Sequence, residues 1–148
     1  MKEKEIVICD IDGTVANNDH RQHLLKDHGD WDKFFEQLDK DKPLKEIIYM
    51  VEKKHKEGKK ICFITGRPER YRKKTERWLK QNLDLDFSLI MRKDKDRRNK
   101  LETKTELFQV NFIVDDIDCC FENDPELIEL WKEMGLLVID ANQIIIPS

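Results

Sequence analysis

Four apolar residues in a row, Ile6-Val7-Ile8-Cys9, stop without transition at Asp10-Ile11-Asp12-Gly13-Thr14. A strand that is apolar on both faces must be covered on both faces. That is the habit of parallel sheets sandwiched between helices, not of antiparallel sheets with one wet side. The unit recurs along the chain. Ile61-Cys62-Phe63-Ile64, Phe87 to Met91, Phe112-Ile113-Val114 and Leu136 to Ile139 read as further strands. Helical stripes lie between them: Leu44, Ile47, Ile48 and Val51; Tyr71, Thr75, Trp78 and Leu79; Leu101 to Phe108; and Leu127, Leu130, Trp131 and Met134. Asp124 followed by Pro125 is a helix start signal for the last stripe. Alternation of this kind predicts an α/β fold around a parallel five-stranded sheet. The length of 148 residues suits one domain over 1–148. From about 17 to 42, Leu24, Leu25, Trp31, Phe34, Phe35 and Leu38 read as a small helical cap inserted after the first strand.

Sheets of this type bind ligands beyond the carboxyl ends of their strands. The polar residues expected there are Asp10-Ile11-Asp12, Thr65-Gly66-Arg67, Arg92 and Asp115-Asp116. Four carboxylates at one edge repel unless a cation offsets them. Mg²⁺ is the natural candidate, because it takes hard oxygen ligands and commonly uses one or two carboxylates plus phosphate and water. The expected ligands are Asp10, Asp12, Asp115 and Asp116, with either of the last two in direct contact. A calcium loop is excluded, because Thr14 and Val15 stand where such a loop needs an oxygen ligand and a glycine, and a strand precedes. One aspartate can attack a phosphoryl group while the other shuttles protons. Gly13 allows the sharp turn after them. Thr65, the amides near Gly66 and a lysine would receive the phosphoryl oxygens.

Bulk properties narrow the setting. Cys9 and Cys62 sit within apolar runs, Cys119 and Cys120 are adjacent, and no CxxC occurs. A disulfide framework and a zinc ribbon are both disfavoured, and a reducing cytoplasm is expected. No apolar stretch approaches the roughly 20 residues of a membrane span. MKEKE contains no signal-peptide core. The formal charge of −3 hides an asymmetry, with 18 Lys and Arg against 7 Asp and Glu between Lys53 and Lys100. That segment is a candidate polyanion surface, or else a set of solvated helix faces. Arg92, Arg97 and Arg98 share this ambiguity. His20, His23 and His28 read as surface or cap residues. Trp31 and Phe34 read as cap core, with base stacking the alternative.

The ordered set Asp10-Ile11-Asp12-Gly13-Thr14, Thr65-Gly66-Arg67, a lysine and Asp115-Asp116 resembles the four motifs of the haloacid dehalogenase (HAD) superfamily of phosphohydrolases. The resemblance implies a three-layer Rossmann-like architecture, Mg²⁺, Asp10 as nucleophile and Asp12 as general acid/base. It implies Thr65 as phosphate ligand and Asp115 and Asp116 at the metal. Arg21, Arg67, the stretch from Leu89 to Phe108 and the stretch from Glu126 to Asp140 are similar to the 3′-phosphatase domain of phage-type polynucleotide kinase/phosphatase. By that similarity Arg21 and Arg67 contact substrate phosphates, and Lys104 is the motif lysine; Lys100 competes, but the spacing to Glu106-Leu107-Phe108 favours Lys104. The chain has no GxxxxGK[ST], so the kinase half is absent from it. The expected activity is Mg²⁺-dependent removal of a 3′-phosphate from DNA or RNA, beside a separate kinase or ligase. A small-metabolite phosphatase and an inactive end-binding module are the alternatives.

Overall fold

The computed structural model describes residues 3–26 and 29–144, so His28 lies outside the described residues. Seven strands occur in chain order: β1 Ile6–Cys9, β2 Ala16–Asn17, β3 Lys42–Pro43, β4 Lys60–Pro68, β5 Phe87–Arg92, β6 Ile117–Glu122 and β7 Val138–Asp140. The helices are α1 Trp31–Glu36, α2 Lys45–Lys56, α3 Arg72–Asn82, α4 Lys100–Asn111, α5 Pro125–Glu133 and α6 Ala141–Ile144. Five strands form one sheet in the order β5-β4-β1-β6-β7, and every neighbouring pair is parallel.

Alternate residues of each strand feed two separate cores. Val7, Cys9, Ile61, Phe63, Cys119 and Phe121 pack with Ile47, Ile48 and Val51 of α2 and Trp78 and Leu79 of α3. Ile8, Cys62, Ile64, Ile117 and Cys120 face the other way, against Phe108 of α4 and Leu127 and Trp131 of α5. This double burial is the reason the strands carry no polar face. The four cysteines are free and buried, divided between the two layers. Among the described residues no helix is long and apolar enough to cross a membrane.

The expected fourth strand is displaced. Phe112 and Ile113 leave α4, and Val114–Asp116 form a 3-10 turn that leads into β6. The register between β1 and β6 shifts between Ile6 and Val7, which pair with Ile117 and Cys119, leaving Asp118 as a bulge. Lys54 and Lys59 hold the Asp118 carboxylate at 2.8 and 3.4 Å. A charged bulge inside an otherwise apolar strand hides that strand from pattern reading. β7 is shifted similarly, to Val138–Asp140.

Between β2 and β3, which pair antiparallel, the chain makes a helical excursion. It holds the 3-10 segment Asp19–Leu25, α1 and the 3-10 turn Leu38–Lys40. Phe34, Phe35 and Leu38 form its own small core, with Leu24, Leu25 and Tyr71 packed on it.

Candidate active site

β1 ends at the carboxyl edge of the sheet, where Asp10 is tied to β6 by its amide donating to the Phe121 carbonyl at 3.0 Å. The chain then turns tightly, with the Thr14, Val15 and Ala16 amides all donating to the Ile11 carbonyl. Gly13 has φ +81°, and a Cβ there would stand 2.2 Å from the Asn123 side chain. The positive φ favours glycine, and any Cβ there would also have to displace the Asn123 side chain.

Two charge clusters meet at this turn. In the first, Asp10 Oδ1 accepts from Lys104 Nζ at 2.5 Å, and Asp10 Oδ2 accepts from the Thr14 hydroxyl at 3.0 Å. The same ammonium reaches Glu122 Oε1 at 3.4 Å. Glu122 is fixed on every side: Trp131 Nε1 donates to Oε1 at 3.1 Å, and the Asn123 and Asp124 amides donate to Oε2 at 3.1 and 3.3 Å. Burial, and then the charge of Glu122, push Asp10 up to about 8 against the pull of Lys104. Lys104, whose burial alone would favour the neutral amine, is held as an ammonium by Asp10 and Glu122. With Asp10 ionised, as a nucleophile must be, one ammonium between two buried carboxylates leaves the cluster one positive charge short.

In the second cluster, Asp12 faces two arginines. Its Oδ1 accepts from Arg21 Nη2 at 2.7 Å and Arg67 Nη2 at 2.8 Å, and its Oδ2 accepts from Arg67 Nε at 3.1 Å. Both arginines are in turn anchored by buried Asp41. Arg21 grips it through Nε and Nη2, each at 2.9 Å, and Arg67 Nη2 lies at 3.3 Å. Burial alone would raise the Asp12 carboxyl, but the charge and hydrogen bonds of Arg67, then Arg21, hold it at about 2. The Arg21 guanidinium also lies over the Phe34 ring at 4.2 Å, which joins this cluster to the helical excursion.

Thr65 is buried in β4, just before the register shift that precedes Pro68, and its hydroxyl accepts the Arg67 amide at 3.1 Å. The Gly66 carbonyl is braced by Arg92 Nε at 2.9 Å, while Arg92 Nη1 donates to Thr103 at the start of α4. Arg98 pairs with Asp96 and Glu106. Arg92 and Arg98 therefore brace the loop between β5 and α4. Lys100 reaches Asp124 at 2.6 Å and not Asp10, so Lys104 is the lysine of the first cluster.

Asp115 and Asp116 require correction. They precede β6, whose Ile117 pairs with Ile6 at the start of β1, so they stand at the amino edge of the sheet. Roughly 15 Å of strand separates them from Asp10, so they do not join the Asp10 and Asp12 carboxylates at the carboxyl edge. The residues that follow β6 at the carboxyl edge are Glu122, Asn123 and Asp124. The signal for them was present: the apolar run Cys119-Cys120-Phe121 also ends on an acid. Asp41, a lone acid between two lysines, carries no comparable signal.

Among the described residues no group of three or more His, Cys, Asp or Glu is arranged to hold a metal ion. His20 pairs with Asp41 at 2.6 Å. Hard oxygen donors at the edge include the Asp10 carboxylate and the Asn123 side-chain oxygen, 3.0 and 3.3 Å from the Thr14 hydroxyl. With the charge deficit around Asp10, that set fits a hard cation that keeps most of its waters.

The sequence profile of the polynucleotide kinase PNKP phosphatase domain matches residues 4–143. Among solved structures, one titled "Structure of Pnkp1/Rnl/Hen1 complex" superposes with a TM-score of 0.75 at 26% identity, over 93% of this chain and 45% of that one. Another, the Pnkp1/Rnl/Hen1 RNA repair complex, gives 0.78 at 25% identity, over 93% and 42%. This chain thus spans less than half the length of those two relatives. A putative beta-phosphoglucomutase from Thermotoga maritima shares the fold, with a TM-score of 0.50 at 15% identity over 95% and 96% of the two chains. A search of curated proteins found no match. With the profile spanning nearly the whole chain, the protein belongs to the family of polynucleotide kinase PNKP phosphatase domains, HAD-type phosphatases on a parallel α/β sheet.

Proposed function

We propose that this chain is a Mg²⁺-dependent phosphomonoesterase that removes the 3′-phosphate from a DNA or RNA end, with Asp10 as nucleophile. The observation that carries the reading is the pairing of Asp10 with Lys104 at 2.5 Å, one residue from an aspartate clamped by two arginines. An Asp10 oxygen forms a bond to phosphorus as the bond from phosphorus to O3′ breaks. Asp12 protonates the departing O3′ and then takes the proton of the water that releases phosphate from Asp10. Lys104 stays beside Asp10 and steadies charge on the phosphoryl oxygens, and Thr65 with the Gly66 amide completes the cradle. Mg²⁺, held by Asp10 with Asn123 and the Asp12 segment, would supply Lewis-acid stabilisation of the phosphoryl charge.

Asp12 must accept a proton to act as an acid, yet Arg67 and Arg21 hold it ionised. A phosphate entering the site draws those guanidiniums toward itself. Asp41 keeps both arginines in place while their bonds to Asp12 loosen, and the Asp12 carboxyl becomes more basic as they do. Arg21 and Arg67 are thus substrate ligands in this reading. The basic stretch from Lys53 to Lys100 supports a polyanionic substrate. The relatives in the Pnkp1/Rnl/Hen1 RNA repair complex support end repair beside a separate ligase.

The test is phosphate release with Mg²⁺ from a 3′-phosphorylated oligonucleotide, its 5′-phosphorylated twin and a 3′-mononucleotide. Release from the first alone is expected. Equal or better release from the mononucleotide would instead make the chain a small-metabolite phosphatase, and release from none would sink the reading.

A further inference from the structure

Trp31 is unlike the other two tryptophans. Trp78 and Trp131 are buried at 2% and 1% exposure, whereas Trp31 is 58% exposed. Its neighbours are aromatic and ordered: it stacks on Phe35 at 5.8 Å and 28°, and meets Phe34 edge-on at 5.7 Å and 86°. The helix that carries it is capped by Asp30, which accepts the Lys33 amide at 3.1 Å. Asp32, the next residue, is held by Arg70 and Tyr71, each at 3.1 Å, which ties α1 to the segment after β4. The indole thus presents an open face on a fixed base.

Its place in the fold decides what that face can meet. Of the other large exposed apolar residues among those described, Val110 and Ile113 lie at the far end of α4, Leu137 precedes β7 and Tyr49 lies on α2. Trp31 stands on the active-site side. A continuous path joins it to the chemistry: Phe34 touches Trp31, Arg21 lies over Phe34 at 4.2 Å, and Arg21 reaches Asp12 at 2.7 Å. Phe34 is 5% exposed and serves as packing, so the two aromatics divide the roles.

We infer that Trp31 is the stacking platform for the nucleobase of the nucleotide that carries the scissile phosphate, an inference that rests on the end-directed phosphatase reading above. A base is the ligand that fits a rigid, uncharged, flat face near a phosphate site, because every base has a π-face and a stacking surface need not read sequence. Trp31 is then the residue that makes a nucleotide, rather than any phosphomonoester, the preferred substrate.

Two measurements test this with different points of failure. In the Asp10→Asn chain, which leaves ligand unconsumed, tryptophan emission is quenched with acrylamide. Quenching is compared with and without a 3′-phosphorylated dinucleotide and the same molecule with an abasic 3′-terminal unit. The base-bearing ligand should shield the exposed emission, which comes from Trp31, and the abasic one should not. Equal shielding by both, or none by the base-bearing ligand, overturns the platform. In the otherwise unaltered chain, Trp31→Ala should raise KM for the base-bearing substrate roughly tenfold, leave the abasic substrate's KM unchanged, and be largely rescued by Trp31→Phe. A parallel loss on both substrates would make Trp31 a structural residue and overturn the proposal. Base-dependent shielding without phosphate release from either substrate would instead remove the phosphatase reading and leave the platform standing.

Discussion

The two carboxylates at the end of β1 are separated by one residue and live under opposite electrostatics. Asp10 turns into the layer covered by α4 and α5. There Lys104 is its close cation and Glu122 a competing anion, and its carboxyl is pushed up to about 8. Asp12 turns toward the helical excursion, where Arg67 and Arg21 hold its carboxyl at about 2. The first cluster is built from strand ends and one helix, all with deep cores behind them. The second is assembled partly from the excursion, through Arg21 and Asp41. The difference teaches how one short turn can serve two roles. The side short of positive charge suits a cation and a nucleophile. In the proposed reading, the side with paired guanidiniums takes the arriving phosphate, whose binding would release the acid.

The sharpest way to break this comparison is Asp10→Asn. Phosphate release should fall by about four orders of magnitude, read by phosphate assay, while thermal unfolding shows the fold intact. Activity within tenfold of the original would dissolve the division of labour. Next comes Arg21→Ala, which leaves buried Asp41 with less charge compensation. A loss of about 3–5 kcal/mol is expected, read from urea unfolding, and Arg21→Lys should not restore it because an ammonium cannot form the paired grip. A loss below about 1 kcal/mol would show that the second cluster is loosely held.

A pH comparison probes Asp12 itself. Its folded value lies below the ordinary 3.8, so the ionised form adds stability above about pH 4, and that stability drains as pH falls toward about 2. In chelator-treated protein, this pH-dependent loss of about 2 kcal/mol should be missing from Asp12→Asn. Parallel stability curves for the two chains between pH 5 and pH 2 would contradict the arginine clamp. The smallest effect belongs to Asp124, which caps α5 by accepting the Glu126 and Leu127 amides at 2.9 and 3.3 Å. Asp124→Ala should cost about 1 kcal/mol and leave the ionisation of Asp12 unchanged.

Legibility in the sequence followed range. The apolar runs of β1, β4 and β5 need only their own residues to declare double burial, and Asp124-Pro125 needs only its neighbours to start α5. β6 was misplaced because Asp118 bulges out of it, and the error carried Asp115 and Asp116 to the wrong edge of the sheet. Glu122 and Asp41 were missed for a related reason. Each is a single acid whose meaning lies in partners far along the chain: Trp131 and Lys104 for one, Arg21 and Arg67 for the other.

The sequence by itself determined the local chemistry: a buried strand ending in two carboxylates, a glycine at the turn, and a threonine-glycine-arginine set at the end of another strand. The tertiary structure decided which charges face which. Lys104 meets Asp10 across 94 residues of chain, and Arg67 meets Asp12 across 55. Those pairings depend on strand order and register, because a shift of one residue turns a side chain to the opposite layer of the sheet.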